Sequence, residues 1–443
     1  MPRLFGTDGV RGLANKELTA ALALELGEAA ARVLTQNNLG HRPKAIVGQD
    51  TRQSSSMLGQ AVAAGLASAG VDVDHVGEIP TPGVAYLTSE QDYDLGVVIS
   101  ASHNPFYDNG IKFINGDGFK LPDSSEDEIE AVLGQDWERP TGEGVGFIGE
   151  NAMVSDKLYM DHLIRCGRSL KGLRIALDCA NGASSDVAPR VFQKLGADVV
   201  VMNAAPDGKN INDKAGSTHP EQLQALTVAT GADFGFAFDG DADRCLAVDH
   251  EGKLVNGDQI MGMLAVAMKN EGRLKRNTLV VTVMSNLGLH LAMRAQGIKT
   301  VSTKVGDRYV LEEMLAHGYN IGGEQSGHVI NLDHATTGDG TLTAVLVASE
   351  VAKQGKKLAE LVEFVKELPQ TLINVAGVDK QQVDLVAPEV AEVEAELGEK
   401  GRVLLRASGT EPLIRVMVEA ATQEQADECA QRLAEVVKTK LAL

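Results

Sequence analysis

Cysteine is scarce in this sequence. Four residues, Cys166, Cys179, Cys245 and Cys429, are scattered through 443 positions with no Cys-x-x-Cys spacing. That excludes a disulfide frame or a cysteine zinc site and reads as a reduced, cytosolic protein. Positive charge is also short, with 41 Lys and Arg against 61 Asp and Glu, a net charge of −20. Such a balance argues against nucleic-acid and anionic-membrane partners. It also sets a condition: an anionic substrate must find a local cluster of Arg and Lys. No apolar run reaches membrane-spanning length, and Met1–Gly6 lacks the apolar stretch of a signal peptide. No Gly-Lys pair is followed by Ser or Thr, so a P-loop is absent. Gly144–Gly149 matches G-x-G-x-x-G, but it follows a Gly- and Pro-containing stretch and not a strand, so it is no dinucleotide site. With 44% hydrophobic and 23% charged residues, a soluble cytoplasmic enzyme is the expectation.

The length exceeds one ordinary core and predicts two to four domains. Helical and extended patterns alternate. Ala20–Leu34 and Ser55–Ala69 have helical spacing, while Pro43–Gly48, Val71–Val73 and Leu95–Ile99 read as strands. This is the rhythm of a mostly parallel α/β domain. Asp136–Gly149 interrupts it and suggests a boundary near residue 150. A second unit opens with a helix over Ser155–Cys166 and strands at Leu173–Asp178 and Ala197–Val201. A third begins near Asn256, with a strand at Thr278–Thr282 and a helix after Ser285. The rhythm recurs three times without a repeated motif at a fixed period. Beyond the linker Glu367–Pro369, an acidic helix over Gln381–Leu397, strands at Val403–Arg406 and Leu413–Val418, and a helix over Glu424–Leu441 predict a small α+β domain with an antiparallel sheet. The expected fold is therefore α/β. Three similar mixed units cover 1–150, 151–254 and 255–367, and an α+β domain covers 368–443.

Five loops carry the chemistry. Ser100–Pro105 follows the apolar strand Leu95–Ile99, where open α/β sheets bind ligands. It sets Ser102 beside His103, as a nucleophile with polar support or as a polar turn. Asp239, Asp241 and Asp243 alternate in a tight loop between the strands Phe234–Phe238 and Cys245–Asp249. Three such carboxylates repel one another unless a cation neutralises them, and all-oxygen ligands suit Mg²⁺ or Ca²⁺. A calcium EF-hand fits poorly, because Arg244 and His250 stand where it needs Gly and Glu. Gly322–His328 presents Glu324, Gln325, Ser326 and His328, a set suited to sugar hydroxyls. Arg406–Pro412, with Arg415 beyond, has the composition of a phosphate cradle. Phe5–Gly12 is a Gly-rich loop bearing Arg11; Lys112 and the Lys304–Arg308 segment add further cations.

Taken in chain order, from the Gly6–Gly12 loop to Arg406–Pro412, the loops resemble the α-D-phosphohexomutase superfamily over essentially the whole chain. Asn104–Lys112, Val305–Val310 and Thr336–Gly340 are similar to its glucosamine-specific branch. Ala242 departs from the pattern, which more often has Gly there, while the three Asp ligands are intact. The resemblance implies four domains arranged around a central cleft. Ser102 is then a phosphoserine, and one Mg²⁺ per subunit is held by Asp239, Asp241, Asp243 and a phosphate oxygen on Ser102. Glucosamine 6-phosphate would become glucosamine 1-phosphate through a 1,6-bisphosphate, which, like a similar hexose bisphosphate, would also serve as activator. The product feeds amino-sugar nucleotide and cell-wall synthesis. The candidate reacting groups are Ser102, Arg11, Lys112 and Arg244, with Lys112, His103 and His328 left open as general acid/base. Expected substrate contacts are Glu324, Ser326, Gly306, Asp307, Arg308, Arg406, Ser408, Gly409, Thr410 and Arg415. The implied partner is a small phosphosugar, not nucleic acid or membrane; a homodimer is admitted, and phosphorylation of Ser102 is activating. Alternatives are a phosphoglucomutase or phosphomannomutase, a Mg²⁺ phosphatase with Asp239 as nucleophile, and a non-catalytic sugar-phosphate sensor.

Overall fold

The structure is a computed structural model that describes residues 3–6, 8–35, 40–408 and 412–443. The chain forms two compact bodies, Met1–Met284 with Ile298–Glu363, and Ser285–Gly297 with Phe364–Leu443. The first body holds three sheets. Sheet one contains β1 (Val10–Leu13), β2 (Lys44–Gln49), β3 (Asp72–Glu78), β4 (Leu95–Ile99), β5 (Asp108–Asn115) and β6 (Ile148–Glu150) in the order β1-β5-β4-β2-β3-β6. Sheet two contains β7 (Arg174–Asp178), β8 (Asp198–Met202), β9 (Phe234–Phe238), β10 (Cys245–Asp249) and β11 (Leu254–Val255) in the order β11-β10-β9-β7-β8. Sheet three contains β12 (Thr278–Thr282), β13 (Lys299–Thr303), β14 (Ile321–Gly323) and β15 (Val329–Asn331) in the order β13-β12-β14-β15.

One topology underlies all three. A central strand (β2, β7, β12) pairs in parallel with the next strand on one side and the third on the other. The third strand then turns back into an antiparallel fourth (β4–β5, β9–β10, β14–β15). The predicted site loops Ser100–Pro105, Asp239–Arg244 and Gly322–His328 all fall at this one connection, the last starting within β14. The repeat is thus in topology, and unequal loops elsewhere hide it from a fixed-period search.

One sequence relation also survives. The second residue of the third strand is Gly96, Gly235 or Gly322, and a Cβ there would lie 2.4 Å from Thr88 Oγ1, 2.7 Å from Thr227 Oγ1 or 2.8 Å from Met314 Sδ. Each of those residues sits on the preceding helix (Thr81–Glu90, Glu221–Thr230, Asp307–His317), at the same separation from its glycine. The missing side chain lets helix and strand close up, which fixes where the strand ends and the site loop begins. The strands themselves are apolar throughout because they are buried on both faces. In β9, Phe234, Phe236 and Phe238 are fully buried, each contributing about 2 kcal/mol of burial next to a loop of carboxylates.

The second body carries a three-stranded antiparallel sheet, with β16 (Gln370–Ala376) and β17 (Arg402–Ala407) flanking β18 (Leu413–Glu419). The helix Gln423–Lys440 packs its Ala426, Cys429, Ala430, Leu433 and Val437 into that core. The single helix expected over Gln381–Leu397 is two elements, a 3₁₀ run Lys380–Val386 and an α-helix Ala387–Leu397. Pro388 is the reason: it has no N–H for a carbonyl one turn back, and it suits a first helical turn. The helix Leu287–Ala295, drawn in sequence from between β12 and β13, also belongs to this body. Leu287 N donates to the buried Glu419 carboxylate at 2.9 Å, and Asn286 clamps Leu368 by accepting from its N–H (2.9 Å) and donating to its carbonyl (3.1 Å). Among the described residues no helix is long and apolar enough to cross a membrane.

Candidate active site

The serine, acidic and sugar loops meet in the first body. Ser102 is 1% exposed and holds a left-handed φ of +51°, a strain of roughly 1–2 kcal/mol for a non-glycine residue. Its Oγ donates to Asp239 Oδ2 at 2.6 Å and lies 3.4 Å from His103 Nδ1. Asp239, Asp241 and Asp243 are all buried, with ligand oxygens within 4.8 Å of one another. Burial, with Asp243 and Asp241 adding repulsion, pushes Asp239 well above the ordinary carboxylate range. Burial also works against Asp241, but Lys112 and the Thr81 hydroxyl outweigh it and hold that carboxyl low. Asp241 Oδ2 accepts from Lys112 Nζ (2.9 Å) and Thr81 Oγ1 (2.7 Å). Asp241 Oδ1 and Asp243 Oδ1 are buried with no hydrogen-bond partner. Crowded carboxylates with unsatisfied buried oxygens are the donor set of a hard divalent cation, so the triad fits one.

Ala242, the departure from the resemblance, has φ +57° and no exposed surface. The matching turn of the sugar loop uses Gly327 at φ +94°. The acidic and sugar loops interlock: Arg244 and His328 form a bridge, and Cys245 N donates to Gly327 O at 3.0 Å. His328 is 3% exposed, with Nε2 3.7 Å from both Asp243 Oδ2 and Asp307 Oδ2. Both its ring nitrogens are buried without a hydrogen bond. Gly338 of the Thr336–Gly340 segment lies flat on the ring, where a Cβ would sit 2.3 Å from His328 Cε1.

These groups border a cavity of about 520 Å³ whose wall includes Arg11, His103, Asp243, Arg244, Gly306, Asp307, Glu324 and His328. Ser102 and Lys112 are not on the wall; they sit just behind it, 1% and 3% exposed. Glu324 Oε1 accepts from Gly306 N at 2.9 Å and so ties the sugar loop to the Lys304–Arg308 segment. Ser326 is exposed and off the wall. Arg308 is drawn away, donating to Glu126 Oε1 (3.0 Å) and Leu121 O (3.1 Å) and pairing with Asp123.

Two wall residues escaped the sequence reading. Asp8 accepts from Lys112 and Lys120 at 2.8 Å each and also from Arg11; Lys120 in turn pairs with Asp307. Asp8 stands in the Phe5–Gly12 loop, where the sequence reading singles out only Arg11, and Lys120 lies in no motif. Lys112 is pushed up to about 12: burial lowers it, but Asp241 and Asp8 more than offset that. Burial, then Arg244 and Arg11, push His103 down.

In the second body Arg406 and Arg415 are direct cross-strand partners. Like charges so placed repel. Lys380 Nζ donates to Ser408 O at 2.8 Å and adds a third cation. Gly409 and Thr410 lie outside the described residues.

Comparison with known proteins agrees along the whole chain. Models of the phosphoglucomutase/phosphomannomutase family match as α/β/α domain I over 2–139, domain II over 157–252, domain III over 256–368 and the C-terminal domain over 346–436. The phosphoglucosamine mutase of Bifidobacterium adolescentis is 61% identical and that of Cutibacterium acnes 57%, each over 100% of both chains. Among solved structures, a phosphoglucomutase/phosphomannomutase family protein of Burkholderia thailandensis superposes with a TM-score of 0.82 at 24% identity, over 100% of this chain and 99% of that one. An N-acetylphosphoglucosamine mutase of Aspergillus fumigatus, solved with GlcNAc-6P and magnesium, gives 0.69 at 17% identity over 98% and 95%. The chain belongs to the α-D-phosphohexomutase superfamily, among its phosphoglucosamine mutases.

Proposed function

We propose that this mutase interconverts glucosamine 6-phosphate and glucosamine 1-phosphate with Ser102 as the phosphate carrier, in the cytoplasm, supplying amino-sugar nucleotide synthesis. The observation that carries the reading is the 2.6 Å contact of Ser102 Oγ with Asp239, which seats the hydroxyl against a buried carboxylate triad. One Mg²⁺ per subunit would be held by Asp239, Asp241 and Asp243 and would supply positive charge opposite the transferring group.

The protein's own groups supply the rest. In the forward step the Oγ–P bond breaks and a bond from phosphorus to the sugar O1 forms, while the O1 proton passes to a base and Ser102 Oγ takes up a proton as it leaves. The bisphosphate then returns its 6-phosphate to Ser102, whose hydroxyl proton must leave as O6 gains one. Lys112, fixed as an ammonium between Asp8 and Asp241, suits charge neutralisation better than proton acceptance. His103, held neutral at pH 7, is 3.4 Å from Ser102 Oγ and suits the serine end. His328, whose ring nitrogens are uncommitted, suits the sugar hydroxyl. Arg11 and Arg244 add charge on the cavity wall. Glu324 would meet the sugar, and Arg406, Ser408 and Arg415 would hold the phosphate that is not reacting. A hexose 1,6-bisphosphate would activate the enzyme by loading Ser102.

Intact-mass measurement before and after incubation with glucosamine 1,6-bisphosphate tests the carrier. A phosphate added to wild type and none to Ser102→Ala is the expected result, and phosphate retained by the variant would overturn it. Parallel assays with glucosamine, glucose and mannose phosphates test the substrate.

A further inference from the structure

The backbone of the serine loop is gripped by a side chain that the chemistry above does not use. Arg52, just past the end of β2, is fully buried, and each of its five N–H donors has an acceptor. Nε donates to Asp50 Oδ2 at 2.8 Å. Nη1 donates to the carbonyls of Pro105 and Asp108, the latter at 3.2 Å. Nη2 donates to the carbonyls of Ser102 (2.8 Å) and Asn104 (2.9 Å). Asp50 anchors the base of the same loop by accepting from Ser100 Oγ at 2.6 Å, and Ser100 Oγ accepts from Ser102 N at 3.0 Å. From the second α/β unit, Asn212 Nδ2 donates to the same two carbonyls, Ser102 O at 2.8 Å and Asn104 O at 3.1 Å.

We propose that Arg52 and Asn212 are positioning residues for phosphoryl transfer, which aim the Ser102 Oγ by clamping the carbonyls of Ser102 and Asn104 from two sides. Ser102 at φ +51° is a conformation a free loop would leave, and strained residues of this kind persist only where their surroundings over-determine them. The planar guanidinium fork spans four carbonyls at once; a lysine keeps the charge opposite Asp50 but lacks the fork. Rotation of the Ser102 carbonyl would swing the Cα–Cβ bond, and with it the phosphoryl group, off the line to the sugar hydroxyl. Misplacement by about 1 Å costs up to about a hundredfold in rate.

The proposal rests on Ser102 as the carrier, so its test counts carriers separately. Arg52→Lys and Asn212→Ala are each loaded with bisphosphate, the phosphoserine is quantified by intact mass, and kcat is expressed per phosphorylated site. The expected result is a fall of about tenfold or more in kcat per site, with KM within about threefold of wild type and more phosphate lost to water per turnover. Asn212→Ala leaves the buried Arg52–Asp50 pair in place, so it decides the matter if Arg52→Lys fails to fold. A merely structural role would lower the thermal midpoint and the loaded fraction while leaving kcat per phosphorylated site at the wild-type value, and that result in Asn212→Ala would overturn the proposal. Absence of phosphoserine in wild type would instead overturn the carrier reading.

Discussion

The serine loop and the acidic loop occupy the same connection in two copies of one topology, yet they solve opposite problems. Both follow the third strand of a unit, and both contain a non-glycine residue in the left-handed region, Ser102 and Ala242. The acidic loop packs three carboxylates that are costly to bring together, and its chemistry is a fixed deficit of positive charge. In the proposed function the serine loop carries at Ser102 a group that would come and go, and its backbone is held from outside by Arg52 and Asn212. An ion can hold a charged loop in shape; an exchangeable group needs hydrogen bonds to the main chain instead.

Substitutions in the two loops should therefore differ in size and in kind. Ser102→Ala removes the proposed carrier and should lower steady turnover by about a thousandfold or more in a coupled product assay. Asp241→Asn should lower Mg²⁺-dependent activity by about 10–100-fold and raise the Mg²⁺ concentration at half activity, read from a metal titration. The same titration should depend on pH. Asp239 is pushed up in the metal-free triad, and a cation needs it ionised. Metal binding should weaken as pH falls through that raised value and strengthen as pH rises. An unchanged metal requirement in Asp241→Asn would break the comparison.

Outside both loops, Arg415→Ala should raise KM about tenfold, as expected for loss of one charge-assisted contact of about 1.4 kcal/mol, with kcat nearly constant. A large fall in kcat would give the tail a different task. The smallest effect belongs to Ala242→Gly. Glycine relieves the positive φ but loses a buried methyl and frees the unfolded chain, so the thermal midpoint should move by no more than a few degrees with activity kept.

What could be read from the sequence follows from how each element is stabilised. β4, β9, β10 and β12 were predicted residue for residue because strands buried on both faces are uninterrupted apolar runs. β1, β5, β6 and β16 were missed: polar residues or glycine interrupt them, and β1, β6 and β16 take their strand pairing from a partner remote in sequence. Loops with several chemical groups in a row announced themselves. Lys120, Arg52 and Asn212 did not, because each is a single polar residue whose meaning depends on what the fold brings to it, and Asp8 was passed over beside Arg11 in the Phe5–Gly12 loop. Arg308 shows the converse. It stands in a loop that resembles a substrate contact, but the carboxylates of Asp123 and Glu126, remote in sequence, capture its guanidinium.

The helix Leu287–Ala295 has a consequence for biosynthesis. It leaves the ribosome well before β18 exists, yet its first N–H, that of Leu287, donates to the buried Glu419 carboxylate. Arg402 closes the same junction by donating to Glu419 Oε1 and to Ser285 O, each at 2.9 Å. Until the final strand emerges, the nascent chain must carry that helix without its cover. The second body is therefore finished only after the first has had time to fold, and a chain terminated at Glu363 would lack all the strands of the second body while still displaying a helix that belongs to it.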